Sequence, residues 1–246
     1  MNHAIEWLEP EWPVSSRVRV VSTLRMGGSS EGPYASLNLA AHVGDQPGSV
    51  NENRRRLREA AGLPCEPLWL EQVHGCDIAT HHEQSGVPRA DAAVATSPGR
   101  VCAVMTADCL PVVLADRAGT RVGVSHAGWR GLAGGVVAAA VAALAGEPAD
   151  LVAWLGPAIG QDAFEVGPEV RQAFVARFAA ADACFAANAR GRFQADLYGL
   201  ARLTLSRAGV GSVHGGGWCT ATDRDHFFSY RRDGVTGRMA TLAWLE

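Results

Sequence analysis

Two apolar runs, Pro111 to Asp116 and Arg121 to Ser125, are separated only by Arg117-Ala118-Gly119-Thr120. A short connection of this kind, with a glycine to take the turn, makes a β-hairpin. Pairing that is symmetric about Ala118 and Gly119 sets Pro111 opposite His126. Cys109, two residues beyond Pro111, then lies close to His126 at the open end of the hairpin. Neighbouring strands run about 5 Å apart, so a thiol–imidazole contact or a shared metal ion is within reach.

The remainder of the chain reads as strands interleaved with helices. Strand composition marks Val18 to Leu24, Pro67 to Val73, Val101 to Thr106, Asp150 to Leu155 and a closing strand, Arg238 to Leu245. A helix is expected from Ser49 to Ala60, with Ser49 as N-cap, Glu52 completing a capping box, and Gly62 and Pro64 ending it. A second, Leu132 to Leu144, is apolar on nearly every face and so is expected to be buried. Pro168 to Phe178 and Asp196 to Ala208 are amphipathic. The expected fold is α/β (α+β), one domain over 1–246 with a mixed sheet flanked by helices and a peripheral segment at 1–16.

Composition removes several classes of function. Hydrophobic residues make up 48% and charged residues 19% of 246, as in a globular chain. The net charge is −3, and the 22 basic residues are overwhelmingly arginine and scattered, so no nucleic-acid footprint is visible. The acidic N-terminus, broken by Pro10 and Pro13, is no signal peptide. The longest apolar stretch, Gly134 to Ala145, is shorter than the roughly 20 residues that cross a bilayer. A cytoplasmic protein with no membrane partner is expected. Six cysteines without an export signal point to reduced thiols.

Chemistry concentrates at strand ends. His74 follows the Leu68 to Val73 run and precedes Gly75; Cys109 follows Asp108; His126 is followed by Gly128, Arg130 and Gly131. Such loops on a rigid sheet are where sites are built, and a helix start beside an arginine favours anions. Two imidazoles and a thiolate form a zinc set with an open fourth position. A buried cysteine or a hydrogen-bonded histidine is the commoner role for either residue singly. Cys65, Cys76, Cys102, Cys184 and Cys219 read as structural thiols, Cys76 being near His74. Arg231 and Arg232 precede Asp233-Gly234, a hairpin-type turn, and either reach a substrate phosphate or are simply solvated; His3, His81, His82 and His214 carry no argument.

The segments TLRMGG, GPYASLNLAAHVGD, WLEQVHG, VMTADCLPVVLAD, HAGWRGLAGGV, LGPAIGQDAFEVGPEV and FFSYRRDGVTGRMA occur in this order between Thr23 and Ala240. Together they closely resemble a bacterial family known variously as laccase-domain proteins, polyphenol oxidases, peptidoglycan editing factors and purine nucleoside phosphorylases. Gln161-Asp162 departs from the usual wording of its motif. The resemblance implies a compact fold similar in topology to cysteine-dependent toxin deamidases. It implies that His74, Cys109 and His126 are catalytic and hold Zn2+. It also implies phosphorolysis of adenosine, inosine and methylthioadenosine, with adenosine deamination as a side activity.

Purine nucleosides and phosphate are therefore the expected partners. Arg25 and Arg130 are the phosphate candidates, and Asn38 and His42, before the first helix, the ribose candidates. A rival reading makes Cys109 the nucleophile of an amide hydrolase that edits peptidoglycan precursors, with His126 or His74 as its base. A multicopper laccase fits poorly, because its coppers need about ten histidines largely in H-x-H pairs; eight are present and none is so arranged. One blue copper on the His2Cys set, with Met105 or Met26 as axial ligand, would make an electron carrier instead. Oligomeric state is not written in these motifs.

Overall fold

A computed structural model of the chain describes residues 4–80 and 86–246. His3, His81 and His82 lie outside the described residues. In chain order the elements begin with β1 (Trp7–Leu8), β2 (Val18–Thr23), α1 (Pro47–Ala60), β3 (Ile78–Thr80) and β4 (Ala92–Ala95). Next come β5 (Cys102–Thr106), β6 (Leu110–Asp116), β7 (Val122–Ala127), α2 (Trp129–Gly134), α3 (Val136–Ala143) and β8 (Leu151–Leu155). Then follow β9 (Glu165–Val166), α4 (Pro168–Val175), β10 (Phe185–Ala187), β11 (Phe193–Ala195) and α5 (Leu197–Arg207). The chain closes with β12 (Ser212–Gly215), α6 (Tyr230–Asp233) and β13 (Met239–Leu245).

The hairpin that organises the site forms in the expected register. β6 and β7 pair antiparallel with Pro111 opposite His126 and Ala115 opposite Val122. Gly119, at φ +69°, takes the turn. Asp116 locks it, its carboxylate accepting from the backbone N–H of Thr120 (2.7 Å) and Arg121 (2.9 Å) and from the Thr120 hydroxyl. These donors outweigh the cost of burial and hold the Asp116 carboxyl below the usual range.

β6 and β7 lie inside a mixed sheet of order β12-β8-β6-β7-β4-β3 among the described residues. The β12–β8 and β3–β4 pairs are parallel and the others antiparallel. A second sheet, β1-β2-β13-β5, packs against one face, and β10-β11-β9 is separate. Both faces of the large sheet are covered, so every residue of β6 is buried and the strand reads as a continuous apolar run. Val112 and Leu114 point to the helices, packing with Leu132, Val136, Val137, Phe174 and Leu200. Val113 points the other way, towards Val20, Val104 and Trp154. The result is a compact α+β domain, and no helix of the described residues is long and apolar enough to cross a membrane.

Several local expectations need correction. α1 begins at Pro47, not at Ser49, and its cap residue Gln46 makes no side-chain cap bond. Proline at the first helical position starts the helix earlier, since its φ is already helical. Glu52 does not reach back to complete a box but pairs with Arg55 and Arg56. Pro67 to Val73 is not a strand; among the described residues its strand-like pairing is limited to isolated bridges at Leu68 and Glu71. There the Gln72 side chain takes the place of backbone: its Nε2 donates to the Met105 carbonyl (2.8 Å) and its Oε1 accepts from the Met105 N–H (2.7 Å).

The expected helix over Leu132 to Leu144 is two helices, broken where Gly135 adopts φ +111°. Only one face of α3 is buried, through Val136, Val137, Ala140 and Val141. Arg231 and Arg232 lie in the single turn of α6, capped by Ser229, and not in a hairpin turn.

Candidate metal centre and cavity

His74, Cys109 and His126 come together from three separate segments. Their ligand atoms all lie within 4.8 Å of one another. His126 is supplied by β7 and is buried. Cys109 sits just before β6, half-buried, with its Sγ 3.8 Å from His74 Nε2. His74 belongs to the loop 73–75 and has φ +61°, a conformation a non-glycine residue seldom adopts. Its ring meets that of His126 edge-on at 4.7 Å.

The loop around His74 is tied to a carboxylate that sequence reasoning missed. Asp91, wholly buried just before β4, accepts from the backbone N–H groups of Val73 (3.1 Å), His74 (2.9 Å) and Gly75 (2.6 Å). It also accepts from His126 Nδ1 at 2.8 Å. Burial works to raise the Asp91 pKa, but the His126 and backbone donors overcome it and the carboxyl is held below its ordinary value. Burial likewise opposes charge on Cys109 and His126, and their mutual attraction prevails. The thiol is pushed down and the imidazole, helped by Asp91, is pushed up.

Gly128 closes the cluster on another side. A Cβ built there would stand 2.7 Å from Cys109 Sγ and 3.0 Å from His74 Cδ2. The residues fit a metal: two imidazole nitrogens and a thiolate-prone sulfur converge, and His126 gives its other nitrogen to a carboxylate, as metal-bound imidazoles commonly do. No second such group of ligands occurs among the described residues.

The cluster opens into a cavity of about 410 Å3. Trp129, Phe164, Tyr230, Met105 and Ile159 give it apolar and aromatic walls, and Arg130, Arg231, Arg238 and His42 bring positive or polar edges. Arg130 stacks on Trp129 at 4.4 Å, Arg231 on Phe164 at 5.3 Å and Arg238 on Tyr230 at 5.9 Å. None of the three is in an ion pair among the described residues; the polar bonds of Arg231 and Arg238 side chains run to backbone carbonyls. Burial, and then Arg238 and Arg54 nearby, depress the His42 pKa. Asp108, at φ +97°, uses its carboxylate to accept from the Thr220 hydroxyl (2.6 Å) and the Arg231 N–H (2.7 Å).

Two expected substrate contacts lie elsewhere. Arg25 is not on the cavity wall: its guanidinium donates to the Ala35 carbonyl (2.9 Å) and the Arg224 carbonyl (2.9 Å) and stacks on Phe228 at 4.7 Å. Asn38 is buried behind the wall, with its amide committed to Ala40, to Asp45 and to the N–H of Arg238. His42 and Arg130 do line the cavity, joined there by Arg231 and Arg238. The helix after His126, α2, has only six residues, so the anion-favouring dipole expected of a longer helix is weak. Arg232 is turned away, bonded to Thr220, Phe227 and Asp233.

All six cysteines are free thiols. Cys102 is buried in β5, and burial pushes its thiol up to about 12. Cys76 is half-buried and donates to the Gly131 carbonyl at 3.7 Å.

A compact α+β fold carrying one His-Cys-His cluster at the mouth of an arginine-edged cavity finds direct counterparts. Residues 19–246 match the family model described as multi-copper polyphenol oxidoreductase laccase, and the chain belongs to that family. It is 55% identical over 242 residues to a Pseudomonas aeruginosa protein named purine nucleoside phosphorylase PA4543, covering 98% of each chain. It is 52% identical to the Escherichia coli protein named purine nucleoside phosphorylase YfiH, over 96% of this chain and 97% of that one. Among solved structures, Neisseria meningitidis protein NMB0706 superposes with a TM-score of 0.95 at 51% identity, covering 98% and 99% of the two chains. YlmD from Geobacillus stearothermophilus follows at 0.90 and 32% identity, covering 100% and 98%.

Proposed function

We propose that the chain is a zinc-dependent purine nucleoside phosphorylase acting on adenosine, inosine and methylthioadenosine, with adenosine deamination as a side reaction. The observation that carries this reading is one cavity that combines a His-Cys-His cluster, aromatic walls and arginines whose guanidinium groups form no ion pair among the described residues. The names of the P. aeruginosa and E. coli relatives point the same way.

In phosphorolysis a phosphate oxygen bonds to C1′ of the ribose while the C1′–N9 bond breaks and its electron pair leaves with the purine. The purine then needs a proton on a ring nitrogen. Arg231 and Arg238 hold the phosphate, with Arg130 at the same mouth. Trp129, Phe164 and Tyr230 offer faces for the base and sugar, and His42 a contact for the ribose. His74, Cys109 and His126 hold the metal. Zinc, when bound, supplies Lewis acidity and a water of lowered pKa, the chemistry that a deamination at C6 requires. We take residues 1–246 to act as one catalytic domain, working in the cytoplasm.

Zinc is preferred over copper because one His2Cys group suffices for zinc, whereas multicopper chemistry needs several histidine clusters. Metal analysis of protein purified without added copper tests this; stoichiometric copper with a strong blue band would reverse it. A second reading is favoured by one observation. Cys109, His126 and Asp91 stand in the order nucleophile, base and orienting carboxylate, which suits an amide hydrolase acting on a peptidoglycan precursor. Incubation with inosine, with and without phosphate, separates the two. Phosphate-dependent release of hypoxanthine supports the phosphorylase; release that ignores phosphate, or no release, refutes it.

A further inference from the structure

We propose that Asp91 is the positioning residue of the cluster, one carboxylate that holds both histidines in the form able to ligate. This rests on reading the cluster as a metal site. Asp91 lies wholly out of solvent, and its two oxygens receive four donors. Three of these are successive backbone N–H groups, from Val73, His74 and Gly75, which fold round the carboxylate as a nest. The nest is what keeps His74 at φ +61° with its ring towards Cys109. The fourth donor is His126 Nδ1 at 2.8 Å, and the Asp91 carbonyl also accepts the His126 N–H at 2.7 Å.

The consequence for His126 is a matter of tautomer. Once its Nε2 proton has left, an imidazole that donates through Nδ1 presents Nε2 as its lone-pair nitrogen, and Nε2 is the atom left for the cluster. Asp91 therefore acts on His126 through its side chain and on His74 through its backbone. The His126 ring and the backbone that carries His74 are thus both set before the ion arrives.

Asparagine at 91 has nearly the same shape but one oxygen and one NH2. If the NH2 faces the nest it meets N–H groups. If it faces His126 it also meets the His74 N–H, which shares that oxygen in the parent, and it requires Nδ1 to accept, which moves the ring proton to Nε2 and blocks the ligand. Zinc affinity, measured by competition with a chromophoric chelator, is expected to fall 10- to 100-fold in Asp91→Asn. The same substitution in a His126→Gln background is expected to cost less, because only the His74 arm remains. Parent-like affinity in Asp91→Asn, or an equal loss in both backgrounds, would overturn the proposal.

A second measurement needs no metal and no variant that might misfold. In the metal-free parent, proton NMR is expected to show a downfield, slowly exchanging resonance from the His126 Nδ1–H. Its absence from the folded parent would also overturn the proposal. A parent that shows this resonance and takes up no zinc would refute the metal reading instead.

Discussion

Gly128→Ala tests whether the space between Cys109 and His74 is set by what must bind there. Gly128 has φ −61° and ψ 160°, an extended conformation open to any residue, so alanine brings no backbone strain. Its methyl would stand 2.7 Å from Cys109 Sγ and 3.0 Å from His74 Cδ2. Non-bonded heavy atoms settle at roughly 3.5–4.0 Å, so relief asks one ligand or the other to move by about 1 Å. A metal site tolerates displacements of about 0.2 Å, several times less. Zinc affinity is therefore expected to fall at least about tenfold, or ~1.4 kcal/mol, beside an overpacking cost of about 1–3 kcal/mol in stability. Gly134→Ala is the control, because its methyl would crowd the Cys76 thiol at 2.8 Å, outside the cluster. It should lower the melting temperature and leave zinc affinity alone. Chelator competition and thermal melts of both variants decide the matter. Parent affinity in Gly128→Ala, or equal losses of affinity in the two, would refute the reasoning.

The arginines separate by role. Arg231→Ala or Arg238→Ala should raise KM for phosphate at least about tenfold, the loss of one charge-assisted contact of roughly 1.5–3 kcal/mol, with a smaller change in KM for inosine. Arg25→Ala should leave KM for phosphate unchanged and lower the melting temperature instead, since that guanidinium bonds only to backbone carbonyls; steady-state kinetics at varied phosphate would expose the reverse pattern. Asp116 carries a pH signature. Its folded pKa is depressed, so its stabilisation is complete above the unfolded value of about 3.9 and fades as the pH drops through the lower folded value. Asp116→Asn should therefore cost about 1–3 kcal/mol near pH 7 and less below pH 3, and urea melts showing a pH-independent difference would contradict this.

Much of the fold was legible because local rules act over short spans. The β6–β7 register followed from a four-residue connection and a symmetric pairing, and the structure sets Pro111 opposite His126 as that symmetry requires. Asp196 caps α5 where the pattern starts, its carboxylate accepting from the Gly199 N–H. What failed was settled by other forces. The run Pro67 to Val73 has strand composition, yet a side-chain amide at Gln72 takes the Met105 backbone bonds that a strand would have made. β9, β10 and β11 went unread; each is two or three residues long, too short for a period to appear.

The site divides along the same line. Cys109 and His126 could be joined from the hairpin alone, because their proximity is a property of adjacent strands. His74 could not, since what brings it in is a loop turned through positive φ by a carboxylate 17 residues further on. Nothing in the residues Gln72-Val73-His74-Gly75 encodes that Asp91 exists, and nothing around Asp91 in sequence announces a ligand. The arginines make the same point from the other direction. Arg25 had the glycine-rich loop that looks suited to an anion, but the loop packs so closely that a Cβ on Gly28 would sit 2.1 Å from the Ser36 carbonyl oxygen. A loop that tight turns its arginine onto the nearby Ala35 and Arg224 carbonyls, whereas Arg238, just before β13, is delivered to the cavity by the sheet in which β13 pairs with β5. Glycine content marks where backbone can turn; only long-range pairing decides which side chains the turn brings to the cavity.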